Sequence, residues 1–318
     1  MAAFDWGGFV QSLPNPSSTE KGKDIKVALL DSGVDFNHPA LSHLERDGHR
    51  FDATKITLQV DNNSLTGKDN VFDPGHFQSY HGSNLAGIMA GDSQQAGEEY
   101  TGIAPAMDLY IFKVSEPDGD IWLDDYIRAL DYAVNKLDVD IICSAVYPER
   151  NLTSGVLKFT SPEITTILDE ITSKNILFFQ ALPNVNRPRH LTSLSFPASR
   201  AAALKIGAMT NRFHQEVLAG QGDDLDSNID YTVPQFSASV CDEGPNGEAY
   251  TTNLLTASQS TAVLCGIASL ALQQQREQSG DATMRFDHDG FKALLAHNAT
   301  PMNGADVFTN PVQLCTPI

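Results

Sequence analysis

A chain of 318 residues with 41% hydrophobic side chains is long and apolar enough to bury a substantial core, which excludes a disordered polypeptide. Forty acidic residues against 21 basic ones give a formal net charge of −19. Such a surface repels nucleic acid and anionic membranes, so neither is expected as a partner.

The N-terminal stretch Met1 to Pro14 has no basic region followed by an apolar run, and no later stretch reads as a membrane span. The chain as given therefore reads as cytoplasmic. The four cysteines, Cys143, Cys241, Cys265 and Cys315, are far apart without a C-x-x-C pair, which argues against zinc. Cys143 and Cys265 fall in apolar patterns, where a free thiol serves as a small hydrophobe.

Residues 1–23 read as an arm and linker, 24–300 as one α/β domain and 301–318 as a tail. Ile25 to Leu30 is a buried strand that stops at Asp31-Ser32-Gly33. Residues 36–80 are polar and read as a long surface connection. His81 opens a short helix in which Leu85, Ile88 and Met89 share helical spacing. A helix N-terminus disfavours imidazolium, which would keep His81 neutral.

Gly102 to Pro105 turns into a strand, Leu109 to Val114. A helix follows with Ile127, Leu130, Ala133, Val134 and Leu137 on one face. Next come a strand over Val139 to Cys143, a helix marked by Ile164, Ile167, Leu168 and Ile171, and a strand over Ile176 to Phe179. Further strands are expected over Ala203 to Ala208 and Asn228 to Val233. Residues 235–256 form a Gly-, Asp- and Asn-rich approach to Ser258, which begins a buried helix. Gly290 to Asn298 is the last helix. The strand–helix alternation predicts a doubly wound, mostly parallel α/β sheet with helices on both faces.

Each candidate site residue also has a plain structural reading: Asp31 as a turn cap, His81 as a structural histidine. Together, Asp31-Ser32-Gly33, His81-Gly82-Ser83 and Ser258 at a helix start resemble the subtilisin-like serine proteases, the subtilases, which carry Asp, His and Ser in this order. Gly102-Ile103-Ala104-Pro105 and Phe196-Pro197-Ala198 followed by Ile206-Gly207-Ala208 also match that family's pattern. The resemblance covers roughly residues 24–300. It implies a triad of Asp31, His81 and Ser258, with Asn184 as a side-chain donor to the oxyanion. It also implies a substrate cleft lined by Ser144, Ala145, Val146, Leu182 and Pro183. The Ser258-to-Ala262 run and Asn228 to Pro234 are similar to intracellular fungal-type members.

Several residues depart from the family pattern. Thr256 and Pro183 stand where glycines are usual, Ala262 where a proline is usual, and Ser144-Ala145-Val146 replaces Ser-Leu-Gly. Thr256 requires an unstrained backbone, and Ala262 is expected to loosen the helix start. Val146 and Pro183 should narrow or reshape the first specificity pocket. The expected partner is a peptide or other acyl substrate, with no cofactor and no metal. Hydrolysis of peptide bonds leads. Acyl transfer or cyclisation on a specialised substrate is the alternative, and a catalytically inactive binding module comes third.

Overall fold

The computed structural model describes residues 16–54, 58–60, 81–93, 100–116, 119–148, 162–182, 202–209, 231–234, 237–241, 250–254, 256–296, 299–302 and 305–308. In chain order the first half holds strands β1 (Lys26–Asp31), β2 (Arg50–Asp52) and β3 (Gln59–Val60), then helix α1 (His81–Ala90). After these come β4 (Asp92–Ser93), β5 (Tyr100–Thr101), β6 (Asp108–Lys113), helix α2 (Leu123–Tyr132) and β7 (Ile141–Ser144). The second half holds α3 (Pro162–Ser173), β8 (Leu177–Ala181), β9 (Ala203–Met209), β10 (Tyr231–Pro234), β11 (Ser237–Cys241) and β12 (Tyr250–Leu254). It ends with α4 (Ala257–Ser279), α5 (His288–Ala296), β13 (Ala299–Met302) and β14 (Ala305–Phe308).

Ten of the described strands form one sheet in the order β13-β14-β10-β9-β8-β7-β1-β6-β2-β3. All neighbours pair in parallel except β2–β3 and β13–β14 at the two edges. From β1 the chain builds β2, β3 and β6 on one side and then crosses to β7 on the other, so the winding reverses at β1. Open α/β sheets place ligands in the crevice at the carboxyl end of such a strand. Asp31 is the last residue of β1.

Alternation along β1 divides the core in two. Val27 and Leu29 face a cluster with Leu85, Ile88 and Met89 of α1, Val263, Leu264 and Ile267 of α4 and Phe291 of α5. Ala28 and Leu30 face the other cluster, with Tyr126 and Leu130 of α2 and Ile164, Ile167, Leu168 and Ile171 of α3. Helices therefore cover both faces, and a strand buried on both sides reads as a continuous apolar run.

Four expectations need correction. Residues 36–60 are not surface connection throughout: Phe36, Leu41, Leu44 and Phe51 are buried, and β2 extends the sheet beside β6. The approach to Ser258 contains the antiparallel pair β11–β12. Residues 299–302 and 305–308, straddling the expected tail boundary, add strands to the main sheet. The buried face of α2 runs through Leu123, Tyr126, Ala129 and Leu130, whereas Ile127 is only partly buried. A wide π turn over Ala133–Leu137 then leaves Leu137 partly buried as well. Cys143, Cys241 and Cys265 are buried and form no disulfide among the described residues. Burial pushes the Cys265 thiol well up, with a hydrogen bond to Cys143 adding to it, so it is unreactive packing.

The far end of the sheet is held by charge. Asp140, immediately before β7, is 4% exposed. It accepts from Arg276 Nη2 at 2.6 Å, Arg285 Nε at 3.0 Å and the Lys26 backbone N–H at 3.0 Å. Removing one partner from such a cluster leaves buried cations uncompensated. Asp140→Ala is expected to cost about 3 kcal/mol, the lower end for a broken buried pair because both arginines keep some water access. The midpoint of urea unfolding measures it, and an unchanged midpoint would show the cluster to be neutral.

Candidate active site

The site begins where β1 ends. Asp31 is 1% exposed, and its Oδ1 accepts from the Ser32 backbone N–H at 2.8 Å. Gly33 has φ +103°, a conformation that β-carbons disfavour. The turn thereby brings the Gly33 carbonyl against the start of α1. A Cβ on Gly82 would stand 2.1 Å from the Gly33 oxygen and 3.2 Å from Asp31 Oδ1. The Gly82 N–H donates to Ser32 Oγ at 3.1 Å, and the Asp35 N–H donates to Ser83 Oγ at 2.8 Å. Two chain segments separated by fifty residues are thus locked together at backbone contact.

That contact sets His81. Its Nδ1 lies 2.8 Å from Asp31 Oδ1. Because a carboxylate only accepts, Nδ1 carries the proton and Nε2 is the basic nitrogen. Burial opposes charge on the imidazole, but the charge of Asp31 and its hydrogen bond outweigh burial, and the His81 pKa is raised above 6.5. The facing carboxylate thus acts on His81 in the direction opposite to that expected of the helix N-terminus. The second carboxylate oxygen, Asp31 Oδ2, is buried with no hydrogen-bond partner among the described residues.

Gly82→Ala should displace α1 from β1 and lengthen the Asp31–His81 hydrogen bond. Misplacement on that scale costs about 10²-fold in rate, read as kcat/KM on a peptide substrate. Full activity in the variant would show that the close contact is not needed.

Ser258 is the second residue of α4 and is 7% exposed. Thr256 caps the helix: the Gln259 N–H donates to Thr256 Oγ1 at 3.3 Å, and the Thr256 N–H donates to Gln259 Oε1 at 3.0 Å. Its φ of −101° and ψ of 173° are ordinary extended values, as a non-glycine residue there requires. Ala262 is fully buried within the continuous helix. The expected loosening is thus offset by the reciprocal cap.

Two anchors fix the direction of α4. Near its C-terminus, Arg276 reaches Asp140 and the Asp24 carbonyl, both at the amino ends of strands. Ser258 lies 18 residues earlier, about 27 Å along the axis, and so at the carboxyl ends. Midway, a Cβ on Gly266 would stand 2.8 Å from Ile103 Cβ, and the Ile103 N–H donates to the Ile88 carbonyl. Gly266 is eight residues from Ser258 and Ile88 seven from His81, and the two helices pack against each other. Asp31, His81 and Ser258 therefore share the carboxyl edge of the sheet.

Ser144, Ala145 and Val146 continue from the end of β7, and Leu182 follows β8; all four are buried and occupy the same edge. Pro183 and Asn184 lie outside the described residues. Missed in the sequence were Tyr126 and Gln180, which contact Ser144 and Val146. The available signal was Gln180 itself, an amide within the otherwise apolar strand Leu177–Ala181, where a polar group needs partners. Among the described residues, no cluster of three His, Cys, Asp or Glu is placed to hold a metal ion, and no helix is long and apolar enough to cross a membrane.

The chain is similar to Subtilisin E of Bacillus subtilis (strain 168), with 25% identity over 253 residues, covering 80% of this chain and 56% of that protein. Subtilisin of Bacillus pumilus is 25% identical over 80% of this chain and 78% of its own length. The Intracellular serine protease of Paenibacillus polymyxa is 26% identical over 209 residues, 65% of this chain and 56% of the relative. The match thus spans little more than half the length of the first of these relatives. The family model described as the subtilase family matches residues 22–310. With that match over most of its length, the chain belongs to the subtilase family.

Proposed function

We propose that this chain is a serine endopeptidase that hydrolyses peptide bonds through an acyl-enzyme on Ser258. The observation that carries the reading is the Asp31–His81 hydrogen bond at 2.8 Å, on the sheet edge where α4 delivers Ser258, in a chain of the subtilase family. Ser258 Oγ attacks the carbonyl carbon and His81 Nε2 takes its proton. The same nitrogen then returns that proton to the leaving amine. Asp31 holds the tautomer and stabilises the imidazolium. The backbone N–H of Ser258, at the positive end of α4, donates to the oxyanion. Asn184 is assigned as the side-chain donor, a contribution typically of about 10²–10³ in rate.

The matched relatives carry protease names, which favours hydrolysis over acyl transfer. One of them is named an intracellular enzyme, which supports an intracellular setting for this chain. Val146, standing where the family pattern has a glycine, supports a selective peptidase over a general one.

The test is incubation of the intact chain with a mixed peptide library in the presence of an added amine nucleophile, with products sequenced by mass spectrometry. Free carboxyl and amino termini at one class of bond are expected. Amine adducts without hydrolysis products, or no reaction at all, would overturn the proposal.

A further inference from the structure

Beneath the carboxyl edge lies a polar cluster that the triad chemistry does not use. Ser144 and Gln180 are register partners on adjacent strands, and both side chains point to the face covered by α2. Tyr126 of α2 meets them there. Its hydroxyl donates to Ser144 Oγ at 2.7 Å and lies 3.3 Å from Gln180 Oε1. Ser144 Oγ donates in turn to the Val146 carbonyl at 3.0 Å. Gln180 Nε2 donates to the same carbonyl at 3.1 Å and to the Ala181 carbonyl at 3.0 Å. Tyr126 and Ser144 are 0% exposed and Gln180 is 1% exposed.

The proton count closes. The Ser144 hydroxyl accepts one hydrogen bond and donates another, both amide protons of Gln180 are used, and the phenol proton serves Ser144 and Gln180. Among the described residues, the network holds no charged side chain. The surroundings are apolar, with Ile142, Phe178 and Leu130 in the same cluster. A neutral network whose side-chain protons all have acceptors holds its members, in such a medium, to one geometry more strictly than hydrophobic packing does.

The consequence falls on two backbone segments. The Val146 carbonyl is turned into the protein and takes two donors, so the chain after β7 is held at a fixed rotation and height. The second amide proton of Gln180 fixes the carbonyl immediately before Leu182. One side chain thus ties together the ends of β7 and β8, the segments that carry Ala145, Val146 and Leu182. We infer that Gln180 and Tyr126 are positioning residues that set the separation of these two walls, and so the size of side chain accepted beside the scissile carbonyl. This rests on the peptidase reading above.

The test uses the full chain with Tyr126→Phe, Gln180→Met and the double substitution. Both replacements are close in volume, and Tyr126→Phe removes a single oxygen, so at least one variant remains folded for measurement. Two rates are read: kcat and KM for peptides differing only in the residue before the cleaved bond (Ala, Leu or Phe), and labelling of Ser258 by a small fluorophosphonate. The preference between peptides should change about tenfold, within the range that one methylene's worth of pocket shape commands. The change should lie in KM, with labelling altered less than twofold. The double variant should match the larger single effect, because both substitutions open one network.

Unchanged preference in a folded variant would overturn the inference. So would a uniform loss across all peptides and the label, which is what general destabilisation produces. If the unsubstituted chain takes the label yet cleaves none of the peptides, the peptidase reading fails first. If it cleaves them and the variants keep its preference, only the positioning role fails.

Discussion

Ser258→Ala is expected to leave the chain folded and to lower peptide cleavage by about 10⁶-fold, the loss that removing the nucleophile causes in subtilisin itself. The substitution deletes one oxygen at the second position of α4. The helix start does not depend on that oxygen, because Thr256 and Gln259 cap each other. Unfolding free energy should therefore move by no more than about 0.5 kcal/mol. The residual rate would come from the oxyanion donors and substrate binding, which the substitution leaves in place. Initial rates at saturating peptide, alongside a urea unfolding curve, measure both halves. Cleavage that survived in a folded variant would place the nucleophile elsewhere.

Asp31→Asn is expected to lower kcat by about 10⁴-fold. Oδ1 accepts from both the His81 ring and the Ser32 N–H. An asparagine that keeps its oxygen there places its NH₂ where Asp31 Oδ2 now lies buried with no hydrogen-bond partner among the described residues. That orphaned donor costs about 1–3 kcal/mol. An asparagine that flips presents N–H to His81 Nδ1, and the ring then carries its proton on Nε2, where it cannot accept one from Ser258.

The pH dependence has a definite sign. Burial lowers the His81 pKa, but the charge and hydrogen bond of Asp31 raise it further, so the net shift is upward. The rate needs the neutral ring and should rise with pH through a midpoint above 6.5. In Asp31→Asn that limb moves to lower pH while its plateau falls. For stability, a raised folded pKa means the ionic contribution is complete below the unfolded value and fades as pH rises through the folded one. The stability gap between the two proteins should therefore narrow on the alkaline side. A rate limb that stays in place after Asp31 is replaced would show that the pair does not set the base.

The legible parts of the chain were those whose burial leaves a repeating mark. Ile25 to Leu30 and Ile176 to Phe179 are apolar without interruption because helices cover both faces of the sheet, and β1 and β8 lie within one or two residues of those runs. The helix at Ser258 was equally plain, since Leu264, Ile267 and Leu270 are buried in α4. Strands with mixed sequences were not legible. Arg50-Phe51-Asp52 pairs with β6 through its backbone and buries a single aromatic, and β11 and β12 are rich in Ser and Thr.

At the site, Asp31, His81 and Ser258 could be named from local motifs, but their meeting depended on contacts no motif contains. Gly82 against Gly33, Gly266 against Ile103 and Arg276 on Asp140 decide where each element lies. The helix end at His81 could be read from the sequence, but that Asp31 outweighs burial and raises the pKa of the ring rests on the 2.8 Å contact. Of the Tyr126–Ser144–Gln180 cluster the sequence showed only Ser144 and the out-of-place amide of Gln180, because the three residues meet from separate elements.

Ser258 is proposed as a nucleophile that depends on His81 and Asp31. The most direct test is reaction of the intact chain with a fluorophosphonate across a range of pH, with the adduct mapped by mass spectrometry. One adduct is predicted, on Ser258, forming at a rate that rises through a midpoint above 6.5 and collapsing in Asp31→Asn. A folded protein that takes no label, or takes it at another residue, would contradict the account.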